Sequence, residues 1–148
     1  MNYAVVGDSV NLASRLEGIN KIYQTNIIVS SETQKEARSQ FLFRPLDIVR
    51  VKGKKNGVKI FELLDSEEQA SEKQKQFCGK FSRGVWAYNV RRFDQACEVF
   101  KQLSETFPDD VPTQIYLRRS RRFSIVPPGV EWEPIIDLEP RFKTQADI

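Results

Sequence analysis

Between Asp65 and Lys75 the sequence turns polar, and its hydrophobic period differs on the two sides of that stretch. Before it, short apolar runs are broken by Gly, Asn and Ser, the punctuation of strands and turns. After it, apolar residues recur at helical spacing. A chain built this way is an α+β protein. Residues 65–76 read as a linker or a polar crossing helix, 77–123 as helices, and 124–148, which holds four prolines, as an extended tail.

The elements follow from local chemistry. Tyr3–Val6 is an apolar run ending at Gly7-Asp8, a short strand and a turn. Ser9 caps a helix running to about Tyr23, with Val10, Ala13, Leu16 or Leu12, Ile19, and Ile22 or Tyr23 at helical spacing. Asn26–Val29 reads as a second strand, and Ser30 or Ser31 caps a short helix carrying Glu32 in its first turn. Phe43–Val51 and Val58–Leu64 read as two longer strands, and Lys52-Gly53-Lys54-Lys55-Asn56-Gly57 between them has hairpin-turn chemistry. The alternation in 58–63 leaves the buried face of the second strand open. Phe81, Val85 and Tyr88, with Trp86 as a further candidate, mark one later helix, and Phe93, Ala96, Val99 or Phe100, and Leu103 a second. Pro112 suits the first turn of a third helix, spanning about Thr113 to Arg122.

Composition removes several kinds of chemistry. The 148 residues contain no histidine and two cysteines, Cys78 and Cys97, so neither a Cys–His nucleophile pair nor a zinc spacing can be built. Catalysis by such a chain must use carboxylates, lysine, arginine or a bound metal. A net charge of +3 is too small to indicate nucleic-acid binding. The basic cluster Arg118, Arg119, Arg121 and Arg122 lacks interleaved aromatics and reads as a solvated face. No apolar run approaches the ~20 residues that span a bilayer. The N-terminus has no basic stretch before its apolar run, so it does not read as a signal peptide. It enters a strand abruptly, as a fragment or a late start would.

The most informative stretch is Gly7-Asp8-Ser9-Val10-Asn11-Leu12-Ala13-Ser14-Arg15-Leu16-Glu17. Asn11 and Arg15 are four residues apart, so a helix presents both on one face. A guanidinium offers phosphate oxygens a fixed fork of donors, and a lysine such as Lys52 offers a compact charge. Asp8 is most simply a turn residue.

This stretch resembles the signature of the class III adenylate and guanylate cyclase catalytic domain. A second block, Phe43-Arg44-Pro45-Leu46-Asp47, Val51-Lys52-Gly53-Lys54 and Ile60-Phe61-Glu62-Leu63, resembles the last two strands of that domain and their connecting loop. The resemblance covers about Tyr3 to Leu64 and implies that residues 1–64 are the C-terminal half of a ferredoxin-like cyclase domain. It implies a catalytic role for Asn11, positioning the ribose, and for Arg15, on the α-phosphate. It gives Lys52 the terminal phosphates. The reaction implied is conversion of ATP to cyclic AMP and pyrophosphate in intracellular signalling, with Mg2+ or Mn2+ as cofactor.

Two departures shape the expectation. The family's two metal-binding aspartates lie in the N-terminal half of the domain, and Asp8 and Asp47 fall in the wrong blocks to replace them. These 148 residues are therefore expected to be inactive alone. They would need a second cyclase subunit or the N-terminal half as partner, as in the family's dimeric sites. Ala4, seven residues before Asn11, occupies the purine-reading position, where its methyl group cannot hydrogen-bond a base edge. ATP is thus a prior from bacterial relatives, and GTP stays open. The cyclase portion is expected to be cytoplasmic, with membrane attachment of the parent open.

The helices resemble a single tetratricopeptide repeat through Trp86, Tyr88, Phe93, Ala96, Phe100 and Pro108. With Pro-Asp-Asp, the basic helix and Pro127-Pro128-Gly129-Val130-Glu131-Trp132, they are similar to a tail found on some bacterial adenylate cyclases. One repeat cannot bury its own face, so it must dock on the cyclase portion, the tail or a protein partner. The alternative to an enzyme is therefore an interaction module on a cyclase-remnant scaffold. Nucleic acid is not an expected partner.

Overall fold

The computed structural model describes residues 16, 18–51, 53–139, 142 and 144–148. Ala4, Asn11, Arg15 and Lys52, with the Tyr3–Val6 run and the Gly7-Asp8-Ser9 turn, lie outside them. The described residues form a mixed α+β fold with a four-stranded sheet.

Leu16 and residues 18–23 are helical. Leu16, Ile19, Ile22 and Tyr23 are buried together against the sheet, as the periodicity predicts. Strand β1 (Ile28–Ser30) leads directly into helix α1 (Ser31–Ala37), and the Ser30 hydroxyl accepts from the Thr33 amide at 3.4 Å. Strands β2 (Phe41–Val51) and β3 (Val58–Ser66) make the expected antiparallel hairpin. Gly53 sits in its turn at φ 88°, where a side chain would be strained.

The register of the hairpin decides which residues face the core. Pro45 pairs with Phe61, but the next pair is Asp47 with Ile60, so Leu46 is a bulge. Proline has no amide to give the ladder, and an inserted residue shifts the two-residue alternation by one. Arg44 is buried before the bulge, Leu46 at it, and Asp47 and Val49 after it. On β3 the buried residues are Ile60 and Glu62, which identifies the face left open by the alternation.

The polar segment at 65–76 holds the end of β3, a short turn and the start of helix α2 (Glu72–Asn89). Ser71 and Gln74 form a capping box there. Helix α3 (Phe93–Thr106) and helix α4 (Val111–Ile125) follow, with Pro112 in the first turn of α4. Phe81, Tyr88, Phe93, Phe100 and Tyr116 form an aromatic core between these helices. Trp132 from the tail lies edge-on to Tyr88 at 5.5 Å and to Phe93 at 5.6 Å. Trp86 instead is half exposed, with the Arg92 guanidinium 5.1 Å from its ring.

Helices α2 and α3 approach closely at Gly84. A Cβ there would lie 2.7 Å from Phe100 Cζ and 3.0 Å from Val99 Cγ1. Gly84→Ala is expected to destabilise the protein by about 1–2 kcal/mol, because overpacking outweighs the helix propensity that alanine adds. Urea denaturation checks this, and an unchanged or raised midpoint would contradict the close packing.

The tail is more than an extended strap. Strand β4 (Ile136–Leu138) adds to the sheet parallel to β2, giving the order β1-β3-β2-β4. Val49 pairs with Ile136, and Val51 with Leu138. Ile115 of α4, Leu138 and Ile148 belong to the same buried cluster as Leu46, Val49 and Ile60. The helices thus dock on both the sheet and the tail, two of the three surfaces expected to cover a lone repeat.

Candidate functional site

The expected site residues flank elements that the structure does place. Arg15 immediately precedes helical, buried Leu16, and Lys52 immediately follows Val51 at the end of β2. The Lys54 amide of the hairpin loop donates to the Val51 carbonyl at 3.0 Å. Two tail contacts brace that loop. The Arg50 guanidinium donates to both Asp137 oxygens, at 2.5 and 3.0 Å. Ile135 packs so tightly over Gly57 that a Cβ there would meet its Cδ1 at 3.0 Å.

Between the 18–23 helix and the hairpin lies a buried polar centre that sequence reasoning did not single out. The Asp47 carboxylate accepts from the Tyr23 hydroxyl and, at 2.9 Å, from the Arg119 guanidinium. Its other oxygen accepts from the Ile48 amide at 2.9 Å, with the Tyr116 hydroxyl at 3.5 Å. Arg119 also donates to the Ile148 carbonyl at 3.2 Å. Burial works against the Arg119 charge, but Asp47 together with Tyr23, Tyr116 and Tyr88 more than offsets it and holds the guanidinium well above its ordinary value. Burial, reinforced by the Asp47 charge, pushes the Tyr23 and Tyr116 hydroxyls up, so both stay protonated donors. A small cleft beside this centre, lined by Asp47, Tyr88, Arg119, Trp132 and residues 133–136, is far smaller than the usual ligand pocket.

A second centre joins the sheet to the helices farther along. Arg44 donates to Glu62 at 2.7 Å and, through both terminal nitrogens, to Asp110 at 2.8 and 2.9 Å. Its guanidinium lies 4.8 Å from the centre of the Phe81 ring and 5.2 Å from that of Phe77. Asp110 is also the N-cap of α4, accepting from the Thr113 amide at 3.1 Å. Burial raises the Asp110 carboxyl, yet the hydrogen bonds and charge of Arg44 more than offset this and hold it below the usual range. The carboxylates of Asp47, Glu62 and Asp110 are thus each committed to a guanidinium. Among the described residues no three potential ligands converge on a metal position. These side chains do not fit the two-metal chemistry of a cyclase.

Sequence signals for these centres existed. Asp47 is a lone charge within Pro45-Leu46-Asp47-Ile48-Val49. Arg119 follows Ile115 by one helical turn, on the face α4 buries. The basic run is accordingly split: Arg118, Arg121 and Arg122 are exposed, whereas Arg119 is buried and paired.

Residues 1–65 match the family described as the adenylate and guanylate cyclase catalytic domain. The chain is 33% identical over 123 residues to the terminal-differentiation-specific adenylate cyclase of Dictyostelium discoideum, covering 80% of this chain and 6% of that protein. It is 38% identical over 64 residues to adenylate cyclase 1 of Rhizobium meliloti, covering 43% of this chain and 10% of the relative. The adenylate cyclase of Anabaena cylindrica is 39% identical over 62 residues, 40% of this chain and 12% of the relative. The chain therefore spans only a small part of each of these relatives. No solved structure matches it. The likeness to the Dictyostelium protein covers more of the chain than the family match and so runs past residue 65 into the helices. Residues 1–65 are similar to the catalytic domain of adenylate and guanylate cyclases, and among the described residues this stretch supplies β1, β2 and nearly all of β3 in the sheet on which the C-terminal helices dock.

Proposed function

We propose that residues 1–65 supply the nucleotide-handling half of an adenylate cyclase site that converts ATP to cyclic AMP and pyrophosphate. The match of this stretch to the cyclase catalytic domain, containing both motif blocks, carries the reading. In it Asn11 positions the ribose, Arg15 meets the charge growing on the α-phosphate as the 3′ oxygen attacks, and Lys52 holds the terminal phosphates. An arginine aimed at developing charge stabilises the transition state more than the ground state. Mg2+ or Mn2+, which would neutralise the triphosphate, is held by the metal-binding half of the site, contributed by a second subunit or by the other half of the domain.

These 148 residues alone are expected to form no cyclic AMP from ATP and Mn2+. Adding a metal-binding half should restore synthesis, measured as cyclic AMP by chromatography. GTP in place of ATP tests the purine choice that Ala4 leaves open. A completed, folded domain with no activity toward either nucleotide would remove the cyclase reading. It would favour the alternative, in which the tetratricopeptide-like helices bind a protein partner on a cyclase scaffold.

A further inference from the structure

We propose that Tyr23 and Arg119 are positioning residues for this site. The buried Tyr23–Asp47–Arg119 chain fixes the helix that follows Arg15 against the strand that leads into Lys52. Docking of the C-terminal helices thereby sets the geometry of both. This rests on the cyclase reading above and adds to it the device that holds the site's two arms in register.

Tyr23 closes the described helical residues 18–23 and follows Arg15 by eight residues in sequence. Asp47 stands on β2, five residues before Lys52. Arg119 comes from α4. A single carboxylate oxygen accepts from both Tyr23 and Arg119, so three elements meet at one buried atom. The surrounding contacts of Leu16, Ile19 and Ile22 are apolar, and apolar packing is non-directional. The hydrogen bonds therefore fix the angle and axial position of the helix. Asp47 faces this meeting point because of the bulge at Leu46. The tail holds the far end of the same strand through Arg50 and Asp137. A shift of α4 would thus reach the 18–23 helix and the end of β2 through Asp47.

Tyr23→Phe tests this, since it removes one oxygen and keeps the buried ring. In the chain itself, hydrogen exchange should quicken at residues 18–23 and 47–51 while 58–66 stay protected. In the domain completed with its metal-binding half, kcat should fall about tenfold, less than the ~10²-fold that a 1 Å misplacement can cost. KM for ATP should stay within about twofold. The effect should combine less than additively with Arg15→Lys, because both changes act through one group. Purely structural loosening would quicken exchange and lower the melting temperature while leaving kcat unchanged below that temperature. That result, or full additivity, overturns the inference. If the wild-type completed domain makes no cyclic nucleotide, the cyclase reading has failed and this inference with it. If the wild type is active and Tyr23→Phe matches it, the inference alone has failed.

Discussion

Arg119→Ala is expected to cost about 3–5 kcal/mol of stability, the typical penalty for removing one partner of a buried ion pair. Arg119 is 5% exposed and Asp47 also 5%, so the orphaned carboxylate could not be rescued by solvent. It would retain the Tyr23 hydroxyl and the Ile48 amide, but no positive charge. The Ile148 carbonyl would lose both Arg119 hydrogen bonds in the same step and keep the longer one from Arg118, at 3.5 Å. The double replacement Asp47→Leu with Arg119→Met should cost markedly less, because no charge is then left buried. Urea denaturation followed by tryptophan fluorescence suits both measurements, since Trp132 packs in the aromatic cluster beside α4. A single substitution losing less than about 1 kcal/mol, the range of exposed pairs, would mean that the pair is solvated and does not clamp the helices to the sheet.

In the completed catalytic domain, Arg15→Ala is expected to lower kcat by about 10²–10³-fold, the typical cost of removing one donor aimed at developing charge. KM for ATP should change far less, because the lost interaction belongs to the transition state. Lys52→Ala should show the opposite balance, since a lysine on the terminal phosphates binds ground state and transition state alike. Steady-state kinetics with Mn2+ and ATP separates the two. An Arg15→Ala enzyme with altered KM and intact kcat would place Arg15 in substrate binding instead of catalysis.

Much of the architecture could be read locally. Ser30 caps α1, Ser71 and Gln74 box the start of α2, and Pro112 opens α4, because capping depends on residues three or four apart. The hairpin was legible in its Gly and Asn-Gly turn, and the aromatic helices in their spacing. The burial of Arg119 was not, because a basic run on a helix carries no mark of which member turns inward. Nor was the Arg44–Asp110 contact, whose partners are 66 residues apart. The candidate site divides in the same way. Its motif residues were recognised as a pattern, whereas the Tyr23–Asp47–Arg119 centre was not.

By itself the sequence determined the α+β class, most helix and strand positions, and the cyclase-like motif blocks, since these rest on short-range periodicity, capping and spacing. Only the tertiary structure decided that the tail becomes the fourth strand and that the helices share a core with the sheet. It also decided that Asp47 and Arg119, 72 residues apart, form one buried pair. The physical reason is that a bulge at Leu46 turns Asp47 to the inner face, and the charge brought there must be neutralised by whatever packs above it. A burial of that kind is settled by chain topology, not by any neighbour in sequence.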